Sequence, residues 1–156
     1  MRDGVRRDDL SHPSVRALLA LHLRGMHANS PPGSVFALDL SGLQAVDVTV
    51  WTRWIDGEAV GVGALKQLAP GHGEIKSMRT HPDHLRKGVA AGLLDHILNQ
   101  ARLMGLHRVS LETGSGSGFE PALTLYRRRG FVNGEAFGGY ESSPFNQFLH
   151  LDIGRP

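Results

Sequence analysis

Apolar residues recur at helical spacing in three stretches of the chain. Residues 11–28 and 85–104 each place apolar side chains three or four positions apart, which is typical of amphipathic helices. A shorter helix is predicted at 121–129, between a proline and a glycine that suit its two ends. The segment 29–33 (NSPPG) ends the first helix, and a weaker helical pattern follows at 34–44.

Between the helices the pattern changes to runs of β-forming residues separated by turn residues. Residues 46–55, 59–68 and 74–80 predict three consecutive strands. Asp56–Gly57 is a typical hairpin-turn pair, and a second turn is predicted at 70–73. Because these connections are so short, we expect the three strands to form an antiparallel meander.

Further strands are predicted in the second half of the chain, at 109–113, 131–132 and 145–153. A long helix separates strand 74–80 from strand 109–113, so these two strands should run parallel. The order helix, three strands, helix, strand, helix, strands predicts an α/β fold in which helices cover both faces of a mixed sheet.

The chain has the size and composition of one compact domain. It has 156 residues, of which 40% are hydrophobic, and a chain of this length buries roughly 70% of the surface that it exposes when unfolded. We therefore expect residues 1–156 to form a single domain. The sequence shows neither a secretory signal pattern near its start nor a run of about 20 apolar residues, which predicts a cytoplasmic protein with no membrane partner.

Charge and cysteine content narrow the classes of function. With 17 basic and 15 acidic residues, the net charge of +2 does not favour a nucleic-acid partner. The basic clusters at Arg86–Lys87 and 127–129 have two interpretations, a solvated helix face or attraction of an anionic ligand. The absence of cysteine excludes disulfides, thiolate metal sites and a cysteine nucleophile. The nine histidines show no metal-ligand spacing, so we expect no metal cofactor.

The most informative stretch is 74–94, where a predicted strand leads through a short turn into a helix that has Gly88 in its first turn. A helix start presents unpaired N–H groups and a partial positive charge, which together suit an anionic phosphate. Glycine at this position lets phosphate oxygens approach the backbone, and Arg86 and Lys87 add positive charge at the rim. The alternative is an ordinary junction of strand and helix with a solvated basic corner.

Two motifs in this half of the chain are similar to those of a known family. Residues 85–90 (LRKGVA) resemble the Gln/Arg-x-x-Gly-x-Gly/Ala motif of the GNAT superfamily of N-acetyltransferases, with Leu85 in place of Gln or Arg. Residues 111–114 and 121–131 resemble the second conserved GNAT region, in the expected order and spacing. The resemblance, strongest to small bacterial single-domain members, implies a mostly antiparallel sheet in which one parallel pair of strands splays apart.

The resemblance also implies that acetyl-CoA is the cosubstrate. In the family, the pantetheine arm pairs with the first splayed strand, and backbone N–H groups at the following helix hold the pyrophosphate. The helix of the second conserved region flanks the cofactor thiol. Carried over by position, the implied cofactor-binding residues are Met78, Arg79, Thr80, Arg86, Lys87, Gly88, Val89, Ala90, Ala91, Thr113, Ala122 and Tyr126.

Two residues are candidates for proton transfer. Glu74 matches the position of the glutamate base in GNAT histone acetyltransferases, and strand alternation predicts that it shares a face with Lys76, Met78 and Thr80. The alternative for Glu74 is an exposed strand end. The family position of Tyr126 implies that it lies near the cofactor sulfur and protonates the leaving thiolate; the alternative is a core tyrosine packed against the sheet.

The implied reaction is acetylation of a primary amine on a small or amino-acid-like molecule, with a protein amine as a variant. Because there is no cysteine, we expect direct attack in a ternary complex. Family geometry implies acceptor contacts from 27–33 and 137–145, where Tyr140 and Glu141 are candidates to orient the amine. The competing function is a non-catalytic CoA-binding sensor or partner-binding module on the same fold. The resemblance also allows a homodimer.

Overall fold

The computed structural model describes residues 4–32 and 40–154, which form one seven-stranded sheet and four helices. The strands are β1 (Gly4–Arg7), β2 (Val48–Ile55), β3 (Glu58–Ala69), β4 (His72–Thr80), β5 (Arg108–Thr113), β6 (Val132–Gly134) and β7 (Gln147–Asp152). The helices are α1 (Pro13–Asn29), α2 (Leu40–Leu43), α3 (Val89–Leu103) and α4 (Glu120–Arg128).

The sheet has the order β1-β2-β3-β4-β5-β7-β6. Strands β4 and β5 run parallel, and every other neighbouring pair runs antiparallel. The predicted mixed, mostly antiparallel sheet and the predicted parallel relation of β4 and β5 are therefore confirmed. None of the helices in the described ranges is both long enough and apolar enough to cross a membrane.

Helices cover both faces of the sheet, as the sequence predicts. One apolar cluster joins α1 to alternate residues of β2 and β3, including Trp54, and a second joins α3 and α4 to the opposite face, including Trp51. The second cluster buries Leu93, Leu94 and Ile97 of α3 at 1% exposure or less. Burying each such side chain contributes about 1.5–3 kcal/mol, so the periodic apolar face of α3 is the main link between helix and sheet.

The two central strands separate soon after they meet. Strands β4 and β5 pair through three residues only, ending at Glu74 opposite Ser110. Beyond that point β4 stays bonded to β3 as far as Thr80, and β5 stays bonded to β7 as far as Thr113. A wedge-shaped gap therefore opens in the middle of the sheet, which confirms the splayed pair that the family resemblance implies.

A β-bulge in β4 changes which side chains face the same way. Lys76 lies opposite Ala64 and Arg79 lies opposite Val62, so three steps along β4 match two steps along β3. Within the bulge, Ser77 adopts a positive φ of 57°, a conformation that L residues rarely use. The extra residue reverses the alternation of side chains along the rest of β4.

The prediction that Glu74, Lys76, Met78 and Thr80 share a face is therefore wrong. Before the bulge, Glu74 and Lys76 point to the α1 side of the sheet, because their β3 partners alternate with the residues that pack on α3. After the bulge, Met78 packs on the α3 side, close to Ile97, and Thr80 follows it. The period-2 rule holds only while a strand keeps its register.

Two elements differ from the prediction, and a third agrees with it in part. Helix α3 begins at Val89 instead of Leu85, because the residues before Gly88 form a 3₁₀ turn and a loop. Strand β1 was not predicted, since an edge strand with one neighbour needs little apolar character and GVRR has a single large apolar residue. Helix α2 confirms the end of the predicted helix at 34–44, whose residues 34–39 lie outside the described ranges.

Candidate active site

The gap between β4 and β5 opens into a cavity of about 580 Å³. It is walled by β4, β5, α1 and the first turns of α3 and α4. The lining includes the sequence-predicted residues Glu74, Met78, Arg79, Thr80, Arg86, Gly88, Val89, Ala90, Ala91, Thr113, Ala122 and Tyr126. Lys87 is exposed and does not line the cavity, so a cofactor contact from it stays a prediction.

The start of α3 provides a site for an anion. Gly88 caps the helix with φ 78° and ψ 11°, and no side chain bonds to the cap. The first intrahelical bond in this turn is donated by Gly92 to the Gly88 carbonyl, which leaves the N–H groups of Val89, Ala90 and Ala91 without helical partners. A Cβ added at Gly88 would meet no protein atom within 4 Å, so it would project into open space. This turn fits the pyrophosphate that the resemblance implies.

Of the two basic residues predicted at the rim of this turn, Arg86 lines the cavity and Lys87 does not. Arg86 lines the cavity with a positive φ of 63°, and the Leu85 side chain is exposed where the family carries Gln or Arg. The backbone N–H groups of this turn and Arg86 are therefore the donors available to an anion at this end of the cavity.

At the point where the strands part, Glu74 belongs to a buried polar cluster. The Tyr140 hydroxyl donates to Glu74 Oε2 at 2.6 Å, and Lys76 Nζ donates to the same oxygen at 3.2 Å and to Tyr140 Oη at 2.6 Å. The Glu74 and Lys76 side chains are 4% and 9% exposed. The interpretation of Glu74 as an exposed strand end is therefore wrong. Burial, with the Glu74 carboxylate beside it, raises the pKa of Tyr140, so this phenol stays protonated.

Tyr140 reaches Glu74 from the segment between β6 and β7. Its ring packs at 5.3 Å from the ring of Phe137 and at 6.0 Å from that of Phe148, both measured between centroids. Asn146 anchors the following residues by donating to the Glu141 carbonyl at 3.0 Å. The start of the segment 137–145, which was predicted to contact the acceptor, therefore lies over the α1 side of the sheet beside the gap, whereas Phe145 at its end packs against the apolar cluster of α3 and α4.

Glu112 is a second carboxylate on the same face, which the sequence analysis did not single out. It lies two residues beyond Ser110, the cross-strand partner of Glu74, and it lines the cavity. Burial raises its pKa to about 7; the charge of Lys76 opposes this rise and that of Glu74 adds to it. The available signal was its place in the second family motif, but its proximity to β4 follows only from the parallel pairing.

Tyr126 lies on the opposite side of the gap. It is 6% exposed, its ring centroid is 5.7 Å from that of Phe131, and it lines the cavity with Leu111 and Ala122. Burial raises the pKa of its hydroxyl, so the phenol is protonated at neutral pH and can donate a hydrogen bond. The two interpretations of Tyr126 are compatible, since the ring belongs to the core and the residue also faces the cavity.

Arg79 contacts α1 with its side chain. Its Nε donates to Nδ1 of His22 at 3.1 Å, and Nη2 donates to the His22 carbonyl at 3.4 Å. Burial and the charge of Arg79 lower the pKa of His22 to about 4, so the imidazole is neutral. Of the predicted acceptor segment 27–33, Asn29 lines the cavity, and Gly33 lies outside the described residues. The family resemblance implies only a backbone role for Arg79, and nothing in the sequence indicated this side-chain contact.

Comparisons with known proteins agree with this geometry. Residues 16–131 match the model of the acetyltransferase (GNAT) family. The chain is 47% identical over 149 residues to YedL of Escherichia coli K12, covering 96% of this chain and 94% of YedL. It is 46% identical over 145 residues to YsnE of Bacillus subtilis 168, covering 93% and 96%. Both relatives are described as uncharacterized N-acetyltransferases.

A solved structure shares the fold. It is a GNAT family acetyltransferase from Elizabethkingia anophelis with acetyl-CoA bound, and it superposes with a TM-score of 0.70 at 15% identity, covering 96% of this chain and 97% of that one. The family match, the two close relatives and the splayed sheet lead to one assignment. The chain belongs to the GNAT acetyltransferase family, and it is an acyltransferase of the N-acetyltransferase class with acetyl-CoA as donor.

Proposed function

We propose that this chain transfers the acetyl group of acetyl-CoA to a primary amine of a small or amino-acid-like molecule, by direct attack while both substrates are bound. The observation that carries the proposal is the gap between β4 and β5, which joins a helix start with unpaired N–H groups to the buried cluster of Glu74, Lys76 and Tyr140, here called the acid–base cluster. Residues 74–80 of β4 run between these two ends, a span of roughly 20 Å at the usual rise of a strand. That length suits an extended, linear ligand arm.

The donor side of the proposal rests on backbone groups. Beyond Glu74, β4 no longer bonds to β5, so the edge formed by Met78, Arg79 and Thr80 is open to the amides of a pantetheine arm. The N–H groups after Gly88 would hold the pyrophosphate, which is a dense anion that suits a helix N-terminus. Neither contact requires a particular side chain, which fits the presence of Leu85 at the first motif position.

The acceptor side rests on two carboxylates. An amine attacks only when neutral, so it must lose a proton before or during attack. Glu74 is the proposed base, because it is buried at the mouth of the gap and held in place by Lys76 and Tyr140. Glu112 shares its face and can accept a proton once it is ionised, which its raised pKa of about 7 places near neutral pH.

The leaving group would depart on the other side of the gap. The amine would attack the carbonyl carbon of the thioester from the face that carries Glu74, and as the C–S bond breaks the sulfur would leave as a thiolate towards the side that Tyr126 lines. A hydrogen bond from the Tyr126 hydroxyl stabilises that charge, and the proton can follow it. Since the chain has no cysteine, no acetyl-cysteine intermediate can form on it, and the acetyl group passes straight to the amine.

Replacing Tyr126 with phenylalanine is expected to lower kcat about 10- to 100-fold, since it removes the hydroxyl and keeps the ring that packs on Phe131. The dissociation constant of acetyl-CoA should change less than about twofold, because the phosphate contacts are untouched. Thiol release gives the rate, and calorimetric titration gives the affinity. Undiminished turnover in the variant would remove Tyr126 from the reaction.

The pH dependence of kcat/KM is expected to follow the ionisation of Glu112. Below its pKa of about 7 the carboxyl is protonated and cannot help to accept a proton, so kcat/KM should rise as the pH passes 7. Glu112→Gln should abolish that limb of the profile. A limb that persists near pH 7 in the variant would assign it to another group.

The same shift has a consequence for stability. Because the folded pKa of Glu112 lies above its ordinary value of 4.5, the native state binds more protons than the unfolded state between about pH 4.5 and 7. Stability therefore falls as the pH rises through that window, and Glu112→Gln should flatten the dependence. Thermal denaturation across the window measures this independently of activity.

The proposed function is tested by two measurements on the whole chain. Calorimetric titration with acetyl-CoA tests the donor site, and thiol release over a broad amine panel, followed by mass analysis of the products, tests transfer. Binding with turnover of an amine supports the proposal. Binding without turnover of any amine would favour the non-catalytic CoA-binding sensor, and no binding at all would remove the donor site itself.

A further inference from the structure

The cavity contains a cation that has no counter-ion in the described part of the chain. The Arg79 guanidinium is half-buried in the cavity wall, and no carboxylate among residues 4–32 and 40–154 lies within ion-pair distance of it. Burial in such a wall disfavours a charge that lacks a partner of opposite sign. The position of the Arg79 charge is therefore unfavourable in free energy, and a bound anion would offset this.

The guanidinium is held in position by neutral groups. The guanidinium donates two hydrogen bonds, one to the ring and one to the carbonyl of His22. A guanidinium has five N–H donors, and the other three have no acceptor in the described chain. Gly25, one turn further along α1, makes room for it, because a Cβ there would come within 2.7 Å of Nη2. The fork is thus oriented by packing and remains available to a planar anion.

Arg79 lies on the same face of the sheet as the acid–base cluster. Because of the bulge, it follows Lys76 on the α1 side, and their partners on β3, Val62 and Ala64, belong to one apolar cluster. The cavity therefore has two carboxylates near the point where the strands part, Glu74, which is paired with Lys76, and Glu112, and the cation of Arg79 lies further along β4 without such a partner. This separation of charge matches a molecule that has an amine at one end and an anion at the other.

We propose that the acceptor is an amino carboxylate, whose carboxylate binds the Arg79 guanidinium while its amine lies beside Glu74. This inference rests on the proposed function and names its acceptor class. A planar carboxylate matches the free fork of an arginine through two parallel hydrogen bonds. An arginine fork also accepts a phosphate, so the test includes a phosphonate acceptor.

The test compares matched acceptors and matched variants. The acceptors are glycine, the other α-amino acids, β-alanine and longer ω-amino acids, each beside its carboxamide, with aminomethylphosphonate as the phosphonate counterpart of glycine. The variants are Arg79→Gln, Arg79→Lys and the control Arg24→Gln, which changes an exposed arginine of α1. For each protein, kcat/KM is measured by thiol release and the dissociation constant of acetyl-CoA by calorimetry.

Wild type is expected to favour at least one amino carboxylate over its amide by about 10- to 100-fold, the range for hydrogen bonds to a charged group. Arg79→Gln should lower kcat/KM for that carboxylate by the same factor, with the amide and the acetyl-CoA affinity changed less than twofold. Arg79→Lys, which keeps the charge and loses the fork, should fall between the two. Arg24→Gln should match wild type.

Several results would overturn the inference and leave the proposed function standing. These are equal turnover of acids and amides by wild type, a preference for the phosphonate, or an equal loss for both members of a pair in Arg79→Gln. Weakened acetyl-CoA binding in Arg79→Gln would move the arginine to the donor side. By contrast, acetyl-CoA binding without turnover of any amine would reject the proposed function, and this inference with it.

Discussion

Replacing Glu74 with glutamine is expected to lower kcat by about 100-fold or more, the range typical for the loss of a general base. Glutamine keeps the shape of the side chain and still accepts a hydrogen bond from Tyr140, but it cannot take a proton from the amine. Thiol release under saturating acetyl-CoA and acceptor measures the effect. Affinity for acetyl-CoA, measured by calorimetry, should be unchanged within about twofold, since Glu74 lies away from the α3 start.

The same change is expected to destabilise the fold, and a second variant separates the two effects. Glu74→Gln leaves the buried Lys76 ammonium without its carboxylate, which costs about 3 kcal/mol for a buried pair that loses one partner. The double variant Glu74→Gln with Lys76→Met removes both charges and should recover most of that loss in urea denaturation. If turnover also recovered in the double variant, Glu74 would be a structural partner of Lys76 and not the base.

Replacing Gly88 with alanine is expected to weaken acetyl-CoA binding by about 10- to 100-fold, since charge-assisted bonds to backbone N–H groups would be lost. The added methyl meets no protein atom within 4 Å, so it occupies the space beside the first turn of α3 where phosphate oxygens would approach. The left-handed φ of 78° adds a cost of about 1–2 kcal/mol to folding for any residue with a Cβ. Calorimetry with acetyl-CoA and thermal unfolding measure the two parts.

Gly92 offers the matched control, one turn further along α3. It is exposed inside the helix, and a Cβ there also meets nothing within 4 Å. Gly92→Ala should therefore stabilise the protein by about 0.5–1 kcal/mol and leave the affinity for acetyl-CoA unchanged. Equal affinity in the two alanine variants would contradict a phosphate site at Gly88.

Local patterns account for what the sequence predicted correctly. The four-residue repeat of Val89, Leu93, Ile97 and Ala101 predicted a helix packed on the sheet, and all four side chains are buried there. Gly88, predicted in the first turn of a helix, is the N-cap of α3 with a left-handed φ of 78°, which favours glycine, and the approach of a phosphate to it stays a prediction. Periodicity and special dihedrals depend on neighbours in the chain, which a sequence displays directly.

The side-chain contacts of Glu74 and Arg79 could not be predicted in the same way, because their partners are distant in sequence. Tyr140 lies 66 residues from Glu74, and Arg79 lies 57 residues from His22. The bulge at Ser77 gave no signal either, since a serine occupies the positive φ where glycine or asparagine is the usual marker. One inserted residue then redirected Arg79 towards α1 and Met78 towards α3, which decides which groups face an acceptor.

The splayed sheet is expected to link the binding of acetyl-CoA to the free energy of unfolding. Two half-sheets share a seam of three residue pairs, and the strand edges beyond it lack each other as hydrogen-bond partners. A ligand that bridges the fork binds the native state and not the unfolded chain, so it adds to the free energy of unfolding by about 2.7 kcal/mol at one hundred times its dissociation constant. The free energy of unfolding is therefore expected to rise with the concentration of acetyl-CoA, and a substitution that weakens phosphate binding should reduce this stabilisation.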